Sequence, residues 1–179
     1  GCKCEPNFYG RFCNLRQCDG AAGIVQLKGT SGTIRNMAPD EPTYSPFRNC
    51  VWRISPPSTD ASGSTLGAIA VFLQLFDLEA DDASSDVVSI GSLKFTGQAP
   101  PPCSQGSNCT VDEQCGSGSC GANGHCTCPP FLIQGKSVEI SFSTDSGDNP
   151  LGESHQGFIV EFAAVYDCPK DGATGMCLT

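Results

Sequence analysis

Apolar and polar residues alternate in short runs along much of this chain, which is the pattern of strands buried on one face. The clearest run spans residues 137–143, where Val138, Ile140 and Phe142 would face inward. No segment combines a helical period with capping residues, so the pattern predicts an all-β domain. Further strands are predicted at residues 24–27, 31–34, 49–54, 68–76, 86–90, 93–96 and 157–165.

The strand at 49–54 is the expected centre of the core, because it carries Cys50 and the chain's single Trp, Trp52. A Trp packed against a disulfide between alternating strands is typical of a β-sandwich. The bond would join Cys50 to Cys18 and clamp the Pro-rich loop between them. A closed loop of this size stabilises a domain by roughly 3–4 kcal/mol through the unfolded state.

Two of the predicted strands, 68–76 and 86–90, flank an acidic loop at residues 77–85. Carboxylates gathered in such a loop repel one another unless a cation lies among them. The core and a candidate binding site therefore share one stretch of the chain. The simpler interpretation is an acidic loop that is only solvated.

The composition indicates the cellular compartment and excludes one class of partner. The formal net charge is −9, with 19 acidic and 10 basic residues among 179, which argues against a nucleic-acid partner because such proteins present a basic face to phosphate. Thirteen Cys are too many for free thiols in a reducing compartment, so we expect an extracellular protein, secreted or at the cell surface. The longest nearly apolar run, residues 66–76, is too short to span a bilayer, so no membrane span is expected in this chain.

Residues 98–130 form a segment rich in Pro, Gly, Ser and Cys. It has almost no apolar residues with which to build a core, so disulfides must fold it. We expect a disulfide knob inserted into a loop of the sandwich. Its cysteines allow many connectivities, among which the sequence does not choose. Asn108, followed by Cys109 and Thr110, is a candidate N-glycosylation site. The cysteines of the segment are Cys103, Cys109, Cys115, Cys120, Cys126 and Cys128.

Residues 1–17 resemble the C-terminal half of an EGF-like module. They contain the pattern Cys-x-Cys, then an aromatic-Gly pair, then a further Cys. The resemblance implies a bond between Cys4 and Cys13, and it leaves Cys2 to pair with a cysteine that this chain lacks.

Residues 167–179, which include Cys168 and Cys177, look like the start of a further EGF-like module. The expected organisation is therefore a partial EGF-like module at 1–17, a main domain at 18–166 with the insertion at 98–130, and a second partial module at 167–179.

Residues 18–166 resemble a CUB domain through a series of short motifs in the family's order. The resemblance implies a CUB-type antiparallel β-sandwich of the jelly-roll kind. The sequence departs from the family pattern at Ser84 and Ser85, because CUB domains carry a Cys two or three residues before the position of Asp86. The matching pieces are Cys18 and residues 31–34, 44–46, 49–54, 76–79, 86–90, 141–145 and 157–158.

Many CUB domains hold one Ca²⁺ at one end of the sandwich. The ligands that the resemblance implies are Glu79, Asp86 and Asp145, with Asp148 or a nearby backbone carbonyl as a fourth. Tyr44 would lie over the ion and hydrogen-bond to a ligand carboxylate. These residue types suit the ion, because Ca²⁺ takes about 6–8 oxygen ligands from carboxylates, carbonyls and water.

In calcium-holding CUB domains the ion organises a binding face. The first hypothesis is therefore a non-catalytic extracellular recognition or adhesion module that binds Lys- or Arg-bearing protein surfaces through calcium-ordered acidic loops. The alternative is a repeated structural subunit of an extracellular matrix or filament, in which copies of the chain join through the EGF-like half-modules. An enzyme is not expected, because neither His125 nor His155 lies in a catalytic motif.

Overall fold

The computed structural model describes residues 24–36, 44, 48–79, 86–97, 101–103, 107–145 and 155–167, together with the strand backbone of 8–9 and 15–16. These residues form strands and one 3₁₀ helix, Asp112–Cys115, so the all-β prediction is confirmed. The strands are β1 (Phe8–Tyr9), β2 (Leu15–Arg16), β3 (Ile24–Leu27), β4 (Ser31–Arg35), β5 (Asn49–Ile54), β6 (Thr65–Asp77), β7 (Val87–Ile90), β8 (Leu93–Phe95), β9 (Ser119–Cys120), β10 (Cys126–Thr127), β11 (Phe131–Gln134), β12 (Val138–Ser143) and β13 (Gly157–Asp167).

Two sheets form the main sandwich. One has four strands in the order β11-β6-β13-β4, and the other has five in the order β3-β5-β12-β7-β8. Neighbouring strands are antiparallel, except that β3 runs parallel to β5. This arrangement is the antiparallel sandwich that the sequence predicted. Two short pairs, β1-β2 and β9-β10, lie outside it.

The core forms because alternate residues of each strand point between the sheets. Ile140 and Phe142 of β12 are fully buried, and Val138 is 4% exposed, as the alternation predicted. Ile69 and Val71 of β6 close the core from the opposite sheet and are also fully buried. Each such side chain stabilises the fold by about 1.5–3 kcal/mol relative to exposure.

A series of aromatic rings crosses the core toward one end of the sandwich. Trp52 packs edge-on against Phe158 with ring centroids 5.9 Å apart, and Phe158 packs against Phe142 at 5.2 Å. Phe142 in turn meets Tyr44 at 5.5 Å. Cys50 lies in the same core and is disulfide-bonded. Its expected bond to Cys18 stays a prediction, since Cys18 lies outside the described residues.

The knob, which we define as the described residues of 103–128, is folded by three disulfides. They are Cys103–Cys128, Cys109–Cys120 and Cys115–Cys126. Its buried cluster consists of cysteines alone, in contrast to the apolar core of the sandwich. The knob lies along the chain between β8 of one sheet and β11 of the other.

Several expectations for the chain ends fall on residues that the structure does not describe. They concern Cys2, Cys4, Cys13, Cys168 and Cys177. The corresponding bonds and the partial EGF-like modules therefore stay predictions.

Candidate metal centre

Three strand ends meet at one end of the sandwich, and each is followed or preceded by a carboxylate. Glu79 lies two residues beyond the end of β6, Asp86 directly precedes β7, and Asp145 lies two residues beyond the end of β12. The register explains why the last two meet, since Ser143 of β12 pairs with Val87 of β7. We call these three residues the acidic end.

One carboxylate oxygen from each residue of the acidic end lies within 4.8 Å of one from each of the other two. Glu79 is 7% exposed and Asp86 is 1% exposed, while Asp145 is half-buried. The backbone N–H of Asp145 donates to Oδ1 of Asp86 at 3.2 Å, which ties two of the three strand ends together. The structure therefore brings Asp145 together with Glu79 and Asp86, which precede it by more than 50 residues.

Tyr44 lies beside this cluster. Its hydroxyl accepts a hydrogen bond from the backbone N–H of Glu79 at 3.1 Å and is hydrogen-bonded to the Asp86 side chain. Burial, and then the Asp86 carboxylate, raise the pKa of Tyr44 well above its ordinary value, so the hydroxyl stays protonated and donates to Asp86. The ring's contact with Phe142 fixes the hydroxyl in place from the core side.

Burial also raises the pKa of Asp86, although the hydrogen bonds from Tyr44 and from the Asp145 N–H act in the opposite direction. The nearby Asp145 charge adds to the rise. The charge of His155 also opposes the rise, but burial is the largest cause and the net direction is upward. A cation beside Asp86 would lower this pKa.

Sequence reasoning missed an anchor next to the acidic end. It placed Asp77 in the acidic loop, whereas Asp77 is the last residue of β6 and pairs with Gly157 of β13. Its carboxylate meets Nδ1 of His155 at 3.0 Å and accepts the backbone N–H of Gln156 at 2.8 Å. These bonds hold the end of β6 against the start of β13. No sequence pattern predicted the contact between Asp77 and His155, because it depends on the register of β6 against β13, which the sequence does not reveal.

Gly97 was missed as well. A Cβ atom at this position would lie 2.2 Å from the backbone oxygen of Glu79 and 2.4 Å from that of Leu78. Such distances exclude a side chain, so the chain entering the knob can pass the Glu79 backbone only with a glycine there. Leu78 is itself buried, at 4% exposure.

Other candidate residues lie apart from the acidic end or outside the described residues. Asp148 and the acidic-loop residues 80–85, including Ser84 and Ser85, are not described. Asn108 is exposed on the knob. A second cluster of potential metal ligands, Cys109, Cys115 and Cys126, is already committed to disulfides and holds no metal site.

The sandwich has the CUB-type fold. A similar solved structure is that of the CUB1-EGF-CUB2 domains of rat MASP-1, with 20% sequence identity and a TM-score of 0.51, covering 80% of this chain and 43% of that chain. Two others are the full extracellular region of zebrafish Gpr126/Adgrg6, with 19% identity, a TM-score of 0.46 and coverage of 88% and 17%, and the MASP-1 CUB2 domain bound to Ca²⁺, with 18% identity, a TM-score of 0.43 and coverage of 78% and 97%.

This chain spans less than half the length of the rat MASP-1 structure. The sequence matches no family model and no curated protein. Among the described residues, no helix is long and apolar enough to cross a membrane.

Proposed function

We propose that this chain is an extracellular, non-catalytic recognition module that holds Ca²⁺ at its acidic end and binds Lys- or Arg-bearing protein surfaces there. The observation that carries the proposal is the convergence of Glu79, Asp86 and Asp145 at a largely buried position. Two full negative charges 4.8 Å apart repel by about 3 kcal/mol at an effective dielectric constant of about 20, and this cluster contains three such pairs. A divalent cation turns that repulsion into attraction.

The donor set favours calcium over zinc or copper. The described cluster offers carboxylate oxygens, which suit hard cations, and neither sulfur nor imidazole belongs to it. Backbone carbonyls of the adjoining loops and water would complete the ligand shell. When bound, the ion would order the three strand ends and their loops.

The three carboxylates differ in what they can offer a partner. Glu79 and Asp86 are too buried to reach another protein, so their role is to hold the ion and, for Asp86, to accept from Tyr44. Asp145 is half-buried and can face both the ion and the solvent. We assign to Asp145 the charge-assisted hydrogen bond with a partner's Lys or Arg.

The extracellular location is supported by the three knob disulfides, which persist only in an oxidising compartment. The alternative function, a structural subunit joined through EGF-like half-modules, depends on residues 1–17 and 167–179, most of which the structure does not describe. It stays a prediction.

The test is calorimetric titration with Ca²⁺, followed by surface binding of the chain to an immobilised oligolysine peptide with calcium or with chelator. Glu79→Gln should abolish calcium binding and, with it, peptide binding. Asp145→Asn should weaken both, and the loss of peptide binding should persist at saturating calcium. Glu113→Gln, which changes an exposed carboxylate of the knob, is the matched control and should alter neither. If the wild-type chain takes up no calcium, or if Glu79→Gln takes up as much as wild type, the proposal is wrong.

A further inference from the structure

Asn108 is presented on the knob in a form that can carry a covalent group. Its side chain is exposed, and its amide makes no hydrogen bond among the described residues. Its backbone forms an isolated antiparallel bridge with His125. A sugar attached to the Asn108 amide would therefore project into solvent without displacing any contact of the closed knob.

The two residues after Asn108 are committed to other contacts once the knob has closed. Cys109 is 7% exposed and is bonded to Cys120. The N–H of Thr110 donates to Oε1 of Gln114 at 2.6 Å, and its hydroxyl donates to the same oxygen at 3.2 Å. The Thr hydroxyl is the part of the Asn-x-Thr motif that a glycosyltransferase must recognise, and in the closed knob it already has a partner.

We propose that Asn108 receives an N-linked glycan only while the Cys109–Cys120 bond is open, so that glycan transfer and disulfide closure compete for the same segment. In the transfer, Asn108 Nδ2 bonds to the anomeric carbon of a lipid-linked sugar diphosphate. The bond from that carbon to the diphosphate oxygen breaks, the lipid diphosphate leaves, and one amide proton passes to a base of the transferase. In the competing step, the Cys109 thiolate attacks the disulfide of an oxidised thiol oxidoreductase, whose S–S bond breaks as a mixed disulfide forms and one thiolate leaves. The Cys120 thiolate then attacks the Cys109 sulfur, which forms Cys109–Cys120 and releases the oxidoreductase as a reduced dithiol.

The two outcomes are both compatible with the final fold, because the Asn108 side chain is exposed while the Cys109 side chain is buried. A chain glycosylated first can still close its knob. A chain that closes first is no longer a substrate. The secreted protein is therefore a mixture of two forms that differ only at Asn108.

The test is to express the full chain through a eukaryotic secretory pathway and to measure the modified fraction by mass spectrometry before and after peptide N-glycosidase. Cys120→Ser leaves the motif intact but removes the partner of Cys109, so the modified fraction should rise toward completeness. Cys126→Ser is the matched control, because Cys115–Cys126 has the same sequence separation of 11 and contains no motif residue. It should leave the fraction close to the wild-type value. Thr110→Ala should abolish the modification.

A second measurement avoids the possibility that a variant fails to leave the cell. Wild-type chain translated into microsomes should be modified more completely with a thiol reductant than without it. The proposal is overturned if Cys120→Ser and the reductant both leave the fraction unchanged. It is equally overturned if Cys126→Ser raises the fraction as much as Cys120→Ser does, or if Thr110→Ala retains the glycan.

Discussion

The acidic end and the knob both bury reactive side chains, but they stabilise them differently. In the knob, the buried sulfurs of Cys109, Cys115 and Cys126 are all bonded covalently to other cysteines of the same segment. At the acidic end, the buried carboxylates of Glu79 and Asp86 meet a third, half-buried carboxylate, that of Asp145. The buried sulfurs of the knob are satisfied by bonds within the knob, whereas the proposed role of the acidic end depends on a cation from outside the chain.

The difference follows from what each region can bury. The sandwich has an apolar core, whose stability can offset the cost of gathering charges at one end. The knob buries only cysteines, so its fold depends on the bonds themselves. The sandwich should therefore respond to core substitutions and, under the proposed function, to cations, and the knob should be more sensitive than the sandwich to loss of its disulfides.

The largest expected effect is in the core. Phe142→Ala should lower the free energy of unfolding by about 3–5 kcal/mol, because it opens a cavity between Phe158 and Tyr44. Val111→Ala, at a 50% exposed position on the knob, should change it by no more than about 0.5 kcal/mol. Denaturant unfolding followed by Trp52 fluorescence measures both. Equal effects would mean that the two regions share one core.

The next effect separates the knob from the sandwich. Replacing Cys115 and Cys126 together by Ala removes a loop closure worth about 3 kcal/mol for a loop of this size. Hydrogen exchange should become fast in residues 115–126, which this bond encloses, while the thermal midpoint of the sandwich stays near its wild-type value. A midpoint that falls together with knob protection would contradict the independence of the two regions.

Gly97→Ala tests the contact between the segment entering the knob and the acidic end. The added methyl group must push on the Glu79 backbone, which should cost about 1–3 kcal/mol and weaken calcium binding. Gly29→Ala is the control, since its Cβ would approach only Ser31. Calorimetry with calcium distinguishes the variants. An unchanged affinity in Gly97→Ala would mean that Gly97 does not influence calcium binding.

The smallest effect is a pH dependence of the calcium-free protein. The pKa of Asp86 is raised in the fold, so its contribution to stability is present below its ordinary value of 3.8 and is lost as pH rises through the folded-state pKa. Asp60 behaves in the opposite sense, because hydrogen bonds, first from Ser62, lower its pKa. Its contribution is lost as pH falls below 3.8.

Urea unfolding midpoints, measured in chelator at a series of acidic pH values, separate the contributions of these two carboxyl groups to stability. Asp86→Asn should flatten the profile above pH 3.8, and Asp60→Asn should flatten it below. The same proton competes with calcium, so acidification should release the ion. If Asp86→Asn leaves the urea midpoints above pH 3.8 unchanged, the burial of Asp86 does not cause the pH dependence in that range.

The sequence anticipated those features that periodicity and residue chemistry determine. Alternation identified Val138, Ile140 and Phe142 as inward-facing, and the single Trp marked the core. Resemblance to the CUB pattern predicted that Glu79, Asp86 and Asp145 would meet, and in the structure they do. Their role as calcium ligands stays a proposal.

The features that the sequence did not anticipate depend on contacts through space. The disulfide pairing of the knob is one among many that its spacing permits. The bond between Asp77 and His155 depends on the register of β6 against β13, and the contact of Gly97 with the Glu79 backbone depends on the path of a loop. Neither register nor loop path is encoded in local periodicity.

Thermal unfolding with calcium and with chelator shows whether the carboxylates of the acidic end are arranged for a divalent cation. At calcium a hundredfold above its dissociation constant, binding should stabilise the fold by about 2.7 kcal/mol, which raises the midpoint by roughly 5–10 °C for a domain of this size. Asp86→Asn should lose that shift. Coincident wild-type curves in calcium and chelator, or an undiminished shift in Asp86→Asn, would mean that these carboxylates do not form a calcium site.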